Sequence, residues 1–279
     1  MLKSLYWRVN FFLKNRKSKR LKKRLDGNVS ALTVNTKNGT FLVDAADLEV
    51  GAKLRTKGEY GIDEINRISH YINKESNVLI VGAHIGSLAI PVAKICSEVT
   101  AIEANPNNFK LFEKNIKLNN ISNIVAHNIA ASEKEEIIQF QLNTVNSGGS
   151  KRVPVNNNYM YTYDNPEVIG IEAYSLDSYL PNKNFDLVLI DIEGSEYFAM
   201  RGMKEILSNT NTLIVEFLPH HITNVAGVSL TDFIDNIPKH LTQLTIPSKD
   251  STYPVSIGFA TLEKMFNSGH GDDGIIFHN

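Results

Sequence analysis

Two short apolar runs constrain this chain more than anything else in it. One is Val78-Leu79-Ile80-Val81 ahead of Gly82-Ala83-His84-Ile85-Gly86; the other is Leu187-Val188-Leu189-Ile190 ahead of Asp191-Ile192-Glu193-Gly194-Ser195-Glu196. Each has the length and β-branched content of a strand buried on both faces of a parallel sheet, and each ends in small or acidic residues before a helical pattern. Such endings fall at the carboxyl edge of the sheet, where open α/β folds bind ligands. The pair therefore points to an enzyme that uses a nucleotide-containing cofactor.

Around these runs the periodicity switches repeatedly. From Asn77 onward it predicts strand 78–81, helix 87–96, strand 99–102, helix 107–118 and strand 124–127, a βαβ alternation that implies a parallel sheet with helices on both faces. Residues 137–142 read as a further strand and 143–165 as a long polar loop. Regular structure is expected to resume with strand 185–190, helix 196–207 and strand 212–217. The tail holds a helix-like stretch at 230–237 and strand-like alternation at 241–246 and 253–261. Upstream, residues 30–43 alternate around Lys37-Asn38-Gly39 as a hairpin, and 62–73 read as a helix with Ile65, Ile68 and Ile72 on one side. The expected division is an N-terminal extension over 1–75 and one α/β domain over 76–279.

Composition adds two constraints. Ten Lys or Arg and no acid fall within residues 1–25, so the rest of the chain carries 19 basic against 30 acidic residues. Leu2, Leu5, Val9 and Phe12 recur at helical spacing among those cations, giving a basic amphipathic helix. Three uses are open for it: packing on the body, an anionic membrane surface, or nucleic acid. The acidic body lacks interleaved aromatic and basic residues, which argues against a nucleic-acid substrate. A single cysteine, Cys96, rules out an intrachain disulfide or a zinc-binding cysteine cluster and fits a cytoplasmic protein.

The chemistry-bearing residues sit at the predicted strand ends. The turn Gly82–Gly86 opens a helix whose N-terminus is positively polarised, although such turns also serve tight packing. Glu103 ends the next strand, 21 residues after Gly82, where a carboxylate accepts hydrogen bonds from both ribose hydroxyls of a nucleotide. The turn lacks the full Gly-x-Gly-x-x-Gly of diphosphate binders, which favours an adenosine cofactor without a diphosphate, S-adenosylmethionine being the common one. Asp191, at the end of its strand, is placed to act as a general base or to anchor a divalent metal. Glu193 and Glu196 either share that work or stabilise a helix N-terminus. Glu216, His220 and His221 suit a base or ligand set, or a plain polar loop. Ser147-Gly148-Gly149-Ser150 reads as an anion cradle or a flexible turn, and His270-Gly271-Asp272-Asp273-Gly274 as a hairpin turn.

Taken in order, Val78–Gly86, Ala101–Asn107, Asn115–Asn120, Ser175-Leu176-Asp177, Leu189–Glu196 and Leu213–Phe217 resemble the motifs of the FkbM family of class I S-adenosylmethionine-dependent methyltransferases. Asn38–Phe41 and Asp44–Glu59 resemble the family's leader, so the likeness covers about residues 38–220. The chain departs from the family pattern at Ile80, where Asp is usual, and at His84, where Asn is usual. The resemblance implies a Rossmann-like fold with a seven-stranded, mostly parallel sheet, and O-methyl transfer to a hydroxyl of a sugar, glycan or glycosylated small molecule. A non-catalytic binding module of the same fold and a nucleic-acid methyltransferase are the alternatives. On this reading Gly82, Ala83, His84, Gly86, Glu103, Ala104 and Ala130 contact the cofactor, and Asp191, Glu193 and His220 are the catalytic candidates.

Overall fold

The computed structural model describes residues 2–26 and 28–279, with side chains from Tyr6 onward. The side chains of Leu2 and Leu5, part of the stripe expected on the first helix, lie outside the described residues. Helix α1 (Leu2–Arg24) leads into the hairpin of β1 (Leu32–Thr36) and β2 (Gly39–Val43), whose register sets Thr36 opposite Gly39 across the expected turn. Helices α2 (Val50–Lys57) and α3 (Ile62–Ser69) follow. Periodicity did not anticipate α2, and α3 stops short of residue 73.

The main sheet is built on β3 (Asn77–Val81), β4 (Glu98–Ile102) and β5 (Ile124–His127). A smaller sheet comes from β6 (Ala130–Ala131), β7 (Glu136–Leu142), β8 (Lys151–Arg152) and β9 (Glu167–Tyr174). The chain then returns to the main sheet with β10 (Leu187–Ile190), β11 (Thr212–Phe217), β12 (Gln243–Ile246), β13 (Ser251–Pro254) and β14 (Asp272–His278). Its strand order is β13-β12-β14-β11-β10-β3-β4-β5, with β11, β10, β3, β4 and β5 mutually parallel and β14 antiparallel to β11. Strand order reverses between β10 and β3, so the carboxyl ends of these neighbours border the crevice.

The sheet has eight strands where seven were expected, because β12 folds back on β13 and adds an edge. The segment at 253–261 is correspondingly not a strand. It is the end of β13 followed by the helix Val255–Ser268. Val255, Phe259, Leu262 and Phe266 recur at helical spacing and pack on the core, which overrides the local alternation. Residues 270–274 form no hairpin turn either; Asp272 opens β14 and caps it, its carboxylate accepting the N–H groups of Ser248 and Gly274.

Alternation along the central strands explains why both faces are covered. Leu79, Val81, Val188, Ile190, Leu213 and Val215 point to one side, and Val78, Ile80, Leu187, Leu189 and Ile214 to the other. The second face is closed by α4 (Ala89–Ala93), α5 (Pro106–Leu118) and the leader, through Ile90, Phe112, Phe41, Val43, Leu54 and Ile68. Each such side chain contributes about 1.5–3 kcal/mol when fully buried, so the leader is bound tightly to the sheet. The small sheet closes over Ile138, Phe140, Ile171 and Ala173, together with Ala130. Between β7 and β9 the expected polar loop carries β8 and a one-turn helix, α6 (Tyr159–Thr162). No helix among the described residues is long and apolar enough to cross a membrane.

Candidate functional site

A cleft of about 850 Å³ opens at the carboxyl ends of β3, β4 and β10, bordered by the small sheet and the leader. The turn after β3 forms its floor. Gly82 has φ +101°, and a Cβ there would lie 1.8 Å from the carbonyl oxygen of Asp191, so only glycine lets the two strand ends come this close. Gly86, at φ +88°, makes room for the Phe112 ring of α5 and does not itself line the cleft. His84 takes a left-handed conformation, φ +52°, which turns its ring toward the loop at 147–150.

Glu103 holds this turn from the neighbouring strand. Its Oε2 accepts the N–H of His84 and its Oε1 the N–H of Asn105, both at 2.7 Å. Burial pushes its pKa up to about 7 against those hydrogen bonds. Asn105 caps α5 by accepting from Asn107 and Asn108, and its amide donates to Ser150 Oγ. The Asn108 amide donates to the carbonyl of Ser147. The 147–150 segment is therefore stitched to both motif turns. Its Gly149 and Ser150 N–H groups donate to the carbonyls of Asn146 and Ser147 within the turn.

His84 Nε2 lies 2.7 Å from Ser147 Oγ, which donates in turn to buried Asp47. With Asp47 ionised, His84 must supply its Nε2–H to Ser147. Burial lowers the His84 pKa to about 4, keeping the ring neutral. Ile80 is buried in the core cluster with Ile90 and Leu187, and Glu103 ties down the turn that follows β3.

On the other side of the cleft stand the carboxylates that follow β10 and β11. Asp191 lines the cleft and has no hydrogen-bond partner for its carboxylate among the described residues. Burial, and then Glu193 and Glu64, hold its pKa well above the usual carboxylate range. Glu193 sits at φ +57°, in a turn braced by Glu196, whose Oε1 accepts the N–H groups of Ile192 and Gly194. Glu196 thus works inside the protein and does not line the cleft. Glu193 Oε2 pairs with the Lys151 ammonium at 3.1 Å and faces His221 Nε2 at 3.4 Å. His221 Nδ1 lies 3.2 Å from Glu216 Oε2. Burial raises the Glu216 pKa well above the carboxylate range and drops that of His221 well below its ordinary value. These directions describe a chain in which protonated Glu216 donates to Nδ1 of neutral His221, whose Nε2–H points at the Glu193 carboxylate.

Among the described residues, Glu193, Glu216 and His221 present ligand atoms within 4.8 Å of one another and form a set able to hold a metal ion. Asp191, the residue expected to anchor one, is not part of it. The Lys151 ammonium already pairs with the same Glu193 oxygen, so the local charge is met without a metal.

Of the residues proposed from sequence, Gly82, Ala83, His84, Glu103, Ala104, Ala130, Asp191 and Glu193 line one cleft. His220 does not. Its Nδ1 lies 3.1 Å from Tyr161 Oη, behind His221, because the helix that starts at Pro219 turns the second histidine, not the first, toward the carboxylates. Asp47, Ser147 and Lys151 were not singled out as individual residues. Each acts on a group far away in sequence, and Lys151 reaches Glu193 across 42 positions.

Comparison with known proteins matches residues 81–244 to the methyltransferase FkbM domain family, more than half of the chain and nearly every residue that lines the far side of the cleft. The chain belongs to this family. No curated protein matches it. Among solved structures, the FkbM methyltransferase from Methylobacillus flagellatus is 17% identical, with a TM-score of 0.45 over 73% of this chain and 44% of that one. Trm5b from Pyrococcus abyssi is 15% identical (TM-score 0.41, 75% and 47%), and M. jannaschii TYW2, solved with AdoMet, is 18% identical (0.38, 68% and 64%). The chain spans less than two thirds of the length of each of these three. The matched FkbM segment begins at the last residue of β3 and runs into β12, so it contains the Gly82 turn, Glu103 and Asp191 but not Asp47.

Proposed function

We propose that this FkbM-family chain transfers a methyl group from S-adenosylmethionine to a hydroxyl oxygen of a sugar, glycan or glycosylated small molecule. The observation that carries the reading is the shared cleft of Glu103 and Asp191, one carboxylate held by backbone N–H groups on the cofactor side and one without a protein partner opposite it. The cleft fits the cofactor. Gly82 leaves the space a Cβ would fill, Glu103 supplies a ribose acceptor, and Ile129, Ala130 and Phe140 offer an apolar wall for the base.

When bound, S-adenosylmethionine supplies a methyl group on a positively charged sulfur that leaves as a neutral thioether. The protein's task is then alignment and removal of one proton. Asp191 takes the proton of the acceptor hydroxyl as its oxygen forms the new bond to carbon. A raised proton affinity suits it to that step, and the cofactor's positive charge favours the ionised carboxylate needed to begin. Glu193, pinned by Lys151 and His221, keeps a second acceptor at the same edge for the substrate's other hydroxyls. Asp63, Glu64 and Asp273 also line the cleft, together with Lys37, Lys53, Lys57 and Arg67, a mixed rim able to hydrogen-bond a polyhydroxylated acceptor. Asp191→Asn tests the assignment. Cofactor binding should persist while turnover on a hydroxyl acceptor falls by about 10²–10⁴-fold; unchanged turnover refutes the role.

A further inference from the structure

We infer that the outward face of α1 docks on the anionic surface of a lipid bilayer. One face of this helix is committed to the body. Phe11 stacks on Tyr163 with ring centroids 4.5 Å apart, Lys14 pairs with Glu49, the Asn15 amide donates to the carbonyl of Tyr163, and Ser18 Oγ donates to the carbonyl of Ala46. Positions 11, 14, 15 and 18 share one side of a helix, so the opposite side points away from the protein.

That side is divided along the axis. In the first half, Tyr6, Val9, Phe12 and Leu13 are 68%, 51%, 57% and 54% exposed. In the second half, Arg16, Lys17, Lys19, Arg20, Lys23 and Arg24 are exposed, and the helix holds no acid. Where the halves meet, a shallow groove is lined by Phe12, Asn15, Arg16, Lys19, Arg20 and Lys23. The apolar side chains reach the acyl boundary, and the Lys and Arg groups meet lipid phosphates. Charge complementarity alone also fits RNA. The exposed Tyr6 and Phe12 rings could also stack on bases, but Val9 and Leu13 could not, and hydrocarbon relieves the exposure of all four to water, which favours the bilayer.

Docking is read by sedimentation with vesicles, because the chain's single tryptophan, Trp7, lies one turn before Phe11 on the committed side and stacks on its ring with centroids 5.8 Å apart. The full chain is mixed with vesicles of phosphatidylcholine alone, with vesicles of phosphatidylcholine and phosphatidylglycerol, and with a single-stranded RNA. The expected result is co-sedimentation with the mixed vesicles only, and release by high salt. Joint replacement Arg16→Gln and Arg20→Gln should weaken the partition by roughly thirtyfold. Joint replacement Phe12→Asp and Leu13→Asp should abolish co-sedimentation with the mixed vesicles. All four side chains are exposed, so the thermal melt of each variant should match wild type. Failure to bind the mixed vesicles, binding of RNA in their place, or full binding by both double variants would overturn the inference.

Discussion

His84 Nε2 and Ser147 Oγ, 63 positions apart in the chain, meet at 2.7 Å and join the turn after β3 to the leader through Asp47. This contact closes the cofactor side of the cleft around a neutral imidazole. Asp47 lies outside the segment matched to the family, so the contact ties the leader to that segment.

Ser147→Ala removes the hydroxyl from between two buried groups and leaves each without its partner. The cost should be about 1–3 kcal/mol, seen as a thermal midpoint lower by about 3 °C for each kcal/mol. Cofactor affinity should fall with it. An unchanged melt would show that the chain from His84 to Asp47 holds nothing.

Gly82→Ala is expected to be severe. Its Cβ would meet the carbonyl oxygen of Asp191 at 1.8 Å, backbone against backbone at the floor of the cleft, and no side-chain rotation relieves that. Parting β3 from β10 disrupts parallel pairing at the centre of the sheet. Loss of soluble folded protein, or a folded protein without cofactor binding, is the expected readout; wild-type binding would contradict the close approach.

Stability of the ligand-free protein should fall as pH rises above about 7. Burial pushes Glu64, Glu103 and Glu196 up to about 7, and Asp191 and Glu216 well above the carboxylate range. A carboxyl whose folded pKa is raised contributes stability that is fully present below the unfolded pKa and is lost as pH climbs through the folded one. Below about pH 6.5 the lowered pKa values of buried His84 and His221 act in the opposite direction, so the thermal midpoint should decline between about pH 7 and pH 8. Glu216→Gln should flatten that decline, since its amide donates to His221 as the protonated acid does. A midpoint that rises over the same interval would contradict the protonation scheme.

Much of this was legible in the sequence because it rests on local pattern. The runs at 78–81 and 187–190 became neighbouring central strands, and the spacing from Gly82 to Glu103 placed both on one cleft. The small sheet was harder to read. β9 is half exposed, holds Gly170 mid-strand, and owes its place to pairing with β7, none of which leaves a strong local period. The same holds for Lys151, a lysine in a polar stretch until folding buries its ammonium beside Glu193 and over the Tyr161 ring. The choice between His220 and His221 depended on where a helix begins after Pro219, a matter of one residue.

Titration calorimetry with S-adenosylmethionine on the wild type and on Glu103→Ala tests the central claim most directly. Wild type should bind, and the variant, stripped of the ribose acceptor and of the brace on the His84 turn, should bind at least about tenfold more weakly. Absence of binding by the wild type, or equal binding by a folded Glu103→Ala protein, would contradict the cofactor site described above.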